Sequence, residues 1–271
     1  MSPFLFNQFN KTSPTAWKQK IQVDLKGADY NDALVWKSDE GILVKPFYTK
    51  EDSKRGFNED PKLNFNICQS IFIDDEKIAN GIARNALKKG ANAVEFIADK
   101  PFNYKNLLES IDAKHTFIYF QFHFLEASFT NELSNYVNSD TVYFHIDIIG
   151  NLAESGNWFT NLNEDHSEFG TIINSCPNAI GVNAALYQNA GATITQQLAY
   201  TLAHANEYLN KYGASIATNI HFNFAVGSNY FFEIAKLKAF RILWNTLLKE
   251  YTPKNIHTHI FAQPSYRNKT I

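Results

Sequence analysis

Two charges set into one face of a helix are the strongest chemical signal in this sequence. Glu233 and Lys236 stand three residues apart in the run Ser228-Asn229-Tyr230-Phe231-Phe232-Glu233-Ile234-Ala235-Lys236-Leu237-Lys238-Ala239-Phe240-Arg241-Ile242-Leu243-Trp244. Placed at about 100° per residue, the run sorts into two sides. Lys238, Arg241, Asn245 and Lys249 share a polar side. Phe232, Leu237, Ala239, Phe240, Leu243, Trp244, Leu247 and Leu248 fill the apolar one. Glu233 and Lys236 fall inside that apolar side, near the helix start. Buried there, they must be paired with each other or serve a site, because an unpaired buried charge is costly.

The histidines are the next candidates. His257 and His259 alternate on a strand and share a face, as two metal ligands would. No Asp, Glu or Cys at a recognisable spacing completes such a site, so a half-solvated strand end is expected and no metal is assigned. His145 and Asp147 also share one strand face, and His221 and Asn223 share another. Pointing into a barrel lumen, such pairs would bond each other in a structural network. His204 and Glu207, three apart on a helix, read as an exposed pair worth about a few tenths of a kcal/mol.

Strands and helices alternate from Asn66 onward. Strands are expected at Ile67–Phe72, Ala93–Ala98, Thr116–Phe124, Thr141–Ile149, Ile180–Ala184, Ile220–Val226 and His257–Ala262. Helices are expected at Glu76–Lys89, Asn103–Ile111, Phe129–Val137 and Thr193–Tyr212, with the Glu233 helix near the end and a loop through Asn151–Asn163. Apolar strands alternating with helices imply an α/β fold with a parallel sheet, either open and doubly wound or closed as a barrel. A glycine-rich nucleotide fingerprint would favour the open sheet, and none is present. Residues 1–60 differ: short polar turns, isolated aromatics, the mixed-charge loop Lys50–Arg55 and a little helix near Thr15–Leu25 read as an N-terminal arm, a candidate for subunit contact.

Composition narrows the function classes. The 271 residues are 45% hydrophobic and include 23 Phe, enough for a sizeable core. A net charge of −2 offers no basic excess for nucleic acid. Two cysteines, Cys68 and Cys176, make no disulfide framework and read as reduced thiols. No stretch approaches the roughly 20 apolar residues of a membrane span, and the start lacks a leader pattern. The expectation is a cytoplasmic protein.

Five segments carry a family resemblance. The run Asn229–Trp244 resembles the signature of the methylmalonyl-CoA mutase family. Trp17-Lys18-Gln19-Lys20-Ile21 followed by Asp24–Tyr30 resembles the start of the family's small, beta-type subunit, and Arg267-Asn268-Lys269-Thr270 resembles that subunit's "RNKT". Glu40–Thr49 resembles an "EGI-x-VKP-x-YT" segment, and Tyr187–Thr193 resembles a "Q-x-AGAT" turn.

The resemblance implies a TIM-type (β/α) barrel over residues 61–271. Only about six or seven of the eight strands of such a barrel fit this chain, so it is expected to be incomplete at the C-terminus. The family's cobalamin-binding domain is expected to be absent; Asp165-His166-Ser167-Glu168-Phe169-Gly170 only imitates its motif, with the wrong spacing. The resemblance implies adenosylcobalamin in the complex, interconversion of methylmalonyl-CoA and succinyl-CoA in propionate metabolism, and a heterodimer with a catalytic large subunit. Leu186 stands where the active subunit has a substrate-binding His, and Ser155 where it has a substrate-binding Arg. The region Arg55–Glu59 lacks the active subunit's aromatic stretch. No catalytic residue is therefore assigned. Gln188, Asn189, Asn229, Glu233 and Lys236 remain as candidates for a remnant cofactor pocket, and His145 with Asp147 as structural lumen residues. The alternatives are a diverged acyl-CoA mutase and a free-standing acyl-CoA or cobalamin binder.

Overall fold

A computed structural model describes residues 8–10, 12–52, 65–251 and 256–269. The chain divides into two compact units, residues 1–63 and 64–271.

In the first unit, helix α1 (Pro14–Asp24) starts where the Ser13 hydroxyl accepts from Ala16 N at 3.1 Å and Pro14 supplies a preset φ. None of its residues is buried. Helix α2 (Tyr30–Leu34) is capped by Asp29, which accepts from Asn31 N and Asp32 N. Strands β1 (Trp36–Lys37) and β2 (Leu43–Val44) pair antiparallel. Lys50–Asp52 forms a single 3-10 turn. The stretch Arg55–Glu59 lies outside the described residues.

Among the described residues, the second unit carries seven strands: β3 (Cys68–Phe72), β4 (Ala93–Ala98), β5 (Phe117–Phe122), β6 (Val142–His145), β7 (Ile180–Asn183), β8 (Ile220–Val226) and β9 (Ile260–Pro264). All pair parallel and in chain order. Ladders join β3-β4-β5-β6 and β7-β8-β9, and the bridge Ile146 to Ile180 links the two sets. The intervening helices are α3 (Glu76–Lys88), α4 (Tyr104–Leu107), α5 (Ala127–Val137), α6 (Ile148–Ser155), α7 (Leu162–Ser175), α8 (Ala185–Asn189), α9 (Ile194–Tyr212) and α10 (Tyr230–Leu248). Consecutive parallel strands with helical crossovers are TIM-type (β/α) architecture.

Alternation along each strand separates two faces. Phe96, Phe120, Phe144, Val182, Phe222 and Phe224 point outward and are fully buried under the helices. Phe240 of α10 sits 4.6 Å from Phe222 and 4.7 Å from Phe224, ring to ring, and the Trp244 indole donates to Thr258 Oγ1 at 2.8 Å. The other face is polar and aromatic. Tyr119 of β5 and His145 of β6 lie 4.8 and 5.1 Å from Phe261 of β9, although β9 pairs with neither strand. The sheet therefore curls around its own lumen. On β7 a glycine makes this possible: a Cβ at Gly181 would come within 2.6 Å of His145 Cα and 3.0 Å of His221 Nε2.

Most expected elements appear within a residue or two. The loop expected through Asn151–Asn163 does not. Asp147 caps α6 by accepting from Gly150 N, Gly156 ends it at φ +76°, and Asn161 starts α7 by accepting from Asn163 N and Glu164 N. The last strand runs Ile260–Pro264 rather than His257–Ala262.

Gly181→Ala should lower stability by about 1–3 kcal/mol, because the new methyl meets backbone. Urea unfolding should show an earlier midpoint with an unchanged m-value; an unchanged midpoint would contradict the packed lumen.

Candidate functional site

A cavity of about 400 Å³ opens at the C-terminal ends of β5 to β8, the face that carries the active site in TIM barrels. Gln121 and His123 form one wall, Asn151, Glu154 and Ser155 the rim, and His145, Asn183 and Asn223 the floor. Asp147 and Glu154 supply two carboxylates, and no lysine or arginine among the described residues lines it. His123 Nδ1 meets Asp99 Oδ1 at 2.6 Å, which orients the ring at the mouth.

Asp147 is the most heavily bonded group beside this cavity. Its Oδ1 accepts from Gly150 N at 2.8 Å, from the Tyr208 hydroxyl at 2.6 Å and pairs with His204 Nε2 at 2.8 Å; Oδ2 accepts from Asn183 N at 2.7 Å. Burial pushes its carboxyl pKa up, but the His204 ring and the bonds from His204, Tyr208 and Asn183 outweigh burial and hold it below the usual range. Burial, followed by the Asp147 charge, pushes the Tyr208 hydroxyl far up, so it stays a donor. Tyr187 OH meets the other His204 nitrogen at 3.1 Å.

Two sequence expectations fail here for one reason. Asp147 does not bond His145, because the chain leaves the strand after His145 and Asp147 turns to cap α6. His204 is not an exposed partner of Glu207 but is buried against Asp147. The signal that was missed is the stripe Gln197, Thr201, His204, Tyr208 along α9. Its spacing of three and four places polar groups on one inward face, and all four are buried.

Glu233 and Lys236 form the buried pair that the helix pattern demanded. Lys236, 1% exposed, makes an ion pair with Glu233 and donates to Ala225 O at 2.6 Å and Gln188 Oε1 at 3.0 Å. Glu233 Oε1 accepts from Gly227 N at 2.8 Å and from Gln188 Nε2 at 3.3 Å. Gln188, Glu233 and Lys236 thus meet as one cluster that ties the start of α10 to the end of β8. Asn189 lies apart and accepts from Ser265 Oγ and Tyr266 N, and Asn229 caps α10 by accepting from Phe232 N. None of these five lines the cavity.

Below the cavity, three imidazoles share the lumen with Tyr119 and Tyr143. Burial lowers the pKa of all three: His145 to about 3, His259 to about 4, and His221 well below the ordinary value. Neighbouring rings add to this, His259 on His145 and His145 on His221. His259 Nε2 meets the Tyr119 hydroxyl at 2.8 Å. Among the described residues no group of three or more His, Cys, Asp or Glu could hold a metal ion.

The methylmalonyl-CoA mutase small subunit of Porphyromonas gingivalis is 30% identical to this chain over 98% of its length and 49% of that protein. The sequence model of the methylmalonyl-CoA mutase family matches residues 139–271, which include β6 to β9 and most of the cavity. The chain belongs to the methylmalonyl-CoA mutase family. It spans about half the length of that small subunit. Shorter stretches are similar to other members: 43% identity over 84 residues to the Streptomyces virginiae large subunit, covering 29% of this chain and 12% of that protein. The methylmalonyl-CoA mutase of Cereibacter sphaeroides is 41% identical over 83 residues, covering 28% and 12%. No described helix is long and apolar enough to cross a membrane.

For this family member, residues named from the signature serve the helix, not the cavity. Glu233→Ala should cost about 3–5 kcal/mol, since Lys236 stays buried without its carboxylate. Replacing Glu233 and Lys236 together with Gln and Met should recover most of that loss in a urea double-mutant cycle. A Glu233→Ala midpoint equal to the parent's would refute the pairing.

The lumen histidines set the pH dependence. They stay neutral when folded but bind protons near pH 6.5 when unfolded. Their contribution is therefore complete above about pH 6.5 and is lost as pH falls, at about 1.4 kcal/mol per pH unit for each ring. Urea midpoints between pH 6 and 5 should give a proton-uptake slope well above one; a slope near zero would contradict neutral burial.

Proposed function

We propose that this chain acts as a small, non-catalytic subunit of an adenosylcobalamin-dependent methylmalonyl-CoA mutase, paired with a catalytic large subunit in a heterodimer. The observation that carries this reading is the extent of similarity. The P. gingivalis small subunit aligns with 98% of the chain, whereas the large subunits of S. virginiae and of Propionibacterium freudenreichii align with 29% and 34%.

The cavity's chemistry supports it. Acyl-CoA substrates with a free carboxylate need a cation or a guanidinium fork. This cavity offers Asp147 and Glu154 instead, and no lysine or arginine among the described residues. Ser155, at the position that the resemblance gives to a substrate-binding Arg, spends its hydroxyl on Asn151 O at 2.7 Å and Asn157 O at 3.0 Å. Leu186, at the position of a substrate-binding His, has no proton to give. The cavity does not fit adenosylcobalamin either. About 400 Å³ is at the small end of small-molecule sites, below what a corrin with its nucleotide loop needs. No step of a mutase reaction is assigned to this chain. The residues 1–60 are the surface we assign to subunit contact, and α1 has no buried residue of its own.

Size-exclusion chromatography with light scattering, on this chain mixed with the cognate large subunit, should give a one-to-one complex. Two unmixed peaks, together with cobalamin-dependent turnover by this chain alone, would overturn the reading in favour of a diverged mutase.

A further inference from the structure

Floor and rim of the mouth cavity offer opposite hydrogen-bonding groups. On the floor, Asn183 and Asn223 bury their Oδ1 atoms in the protein, whereas their amide nitrogens are not shut away and make no hydrogen bond among the described residues. Asn223 is 5% exposed, and the part of its amide that meets the cavity is a donor. Asn183 and Asn223 are register partners on β7 and β8, so the two amides stand side by side on the lumen face. At the wall and rim the free groups are acceptors. Glu154 is exposed, with no hydrogen bond or ion pair among the described residues. Gln121 turns its Nε2 to His123 Nε2, at 3.4 Å, and leaves its Oε1 free. Asn151 donates from Nδ2 to Asn157 O at 2.9 Å and leaves its Oδ1 free.

Charge narrows the ligand. Asp147 and Glu154 line the cavity, and Asp99 stands behind its wall, 2.6 Å from His123 Nδ1. The buried His145 ring is neutral, and when His123 takes up a proton the Asp99 carboxylate offsets that charge. The site is therefore negative whichever form His123 adopts. The floor amides would attract an anion, but they lie beside Asp147, whose Oδ2 accepts from Asn183 N at 2.7 Å. They suit an uncharged oxygen instead. The rim acceptors suit a cation, and the rings of Phe124, Phe159 and Tyr266 add aromatic surface for one. We infer that this cavity is a binding site for a small organic cation, a primary ammonium that carries an uncharged oxygen, as an amino alcohol or an amino-acid amide does. Its ammonium group would sit at Glu154, Gln121 and Asn151 and its oxygen on the amides of Asn183 and Asn223. This site does not depend on the subunit role, because its ligand has the opposite charge to an acyl-CoA carboxylate and its test needs no partner.

Ethanolamine and glycinamide are the probes, added to the full chain and read by NMR on the side-chain amides of Gln121, Asn151, Asn183 and Asn223. Ethylammonium, which has the charge without the oxygen, and acetate, which has the opposite charge, are the controls. Ligands of a handful of heavy atoms should saturate in the millimolar range. Both probes should shift the signals saturably, ethylammonium should bind about fivefold more weakly, and acetate should give no saturable shift. Glu154→Gln, at an exposed rim position that supports no other residue, should weaken both probes about fivefold without changing the thermal midpoint, and Ser155→Trp should abolish their binding by filling the rim. Linear shifts with both probes, a saturable response to acetate, or probe affinity unchanged in Glu154→Gln would each overturn the proposal. Ethylammonium binding as tightly as ethanolamine would remove the oxygen contact and with it the proposed ligand class.

Discussion

One carboxylate holds the mouth of this barrel together. Asp147 receives bonds from the first turn of α6, from the backbone at the end of β7 and from two side chains of α9. Those three elements meet around the isolated β-bridge from Ile146 to Ile180 that joins the two sets of strands. The short β6 and β7 share little ladder, so the carboxylate supplies the registry that backbone pairing lacks. A buried anion is tolerable there because each oxygen is engaged and His204 stands against it.

The same economy of polar groups recurs one strand further on. Glu233, Lys236 and Gln188 close on each other and on the backbone of Ala225 and Gly227. Gly227 has to be a glycine for this, since a Cβ would lie 2.8 Å from Gln188 Nε2 and 2.9 Å from Glu233 Oε1. In a catalytic barrel the strand ends present charges to a substrate. Here the charges face inward, toward helices, and the cavity between them holds neutral amides, a neutral imidazole and a rim carboxylate. That distribution is compatible with the subunit role proposed above, which asks nothing of acyl-CoA chemistry at the barrel mouth.

Much of this was legible in the sequence. The Glu233–Lys236 pair could be read directly, because two charges on an apolar helix face have few alternatives to meeting. The strands Ala93–Ala98 and Ile220–Val226 were readable to the residue, since their mainly apolar runs end at polar or glycine positions. What escaped reading depends on contacts distant in sequence. Asp147 looked like a strand residue paired with His145, and only the α6 cap reveals that it turns away. Helix α7 received no assignment beyond the loop expected through Asn163, because Leu162–Ser175 has polar residues in its first turn and its buried apolar positions, Phe169, Ile172 and Ile173, come late. The role of His204 needed α9 to lie 57 residues away from its partner in sequence yet against it in space. The cavity floor was invisible for the same reason, as its three residues come from three strands.

We propose that the polar groups bonded at this barrel mouth serve the fold and that the mouth offers no acyl-CoA site. Calorimetric titration of methylmalonyl-CoA into the chain alone tests it most directly. No saturable heat is expected at micromolar to millimolar ligand. Stoichiometric binding that Ser155→Trp abolishes would contradict it.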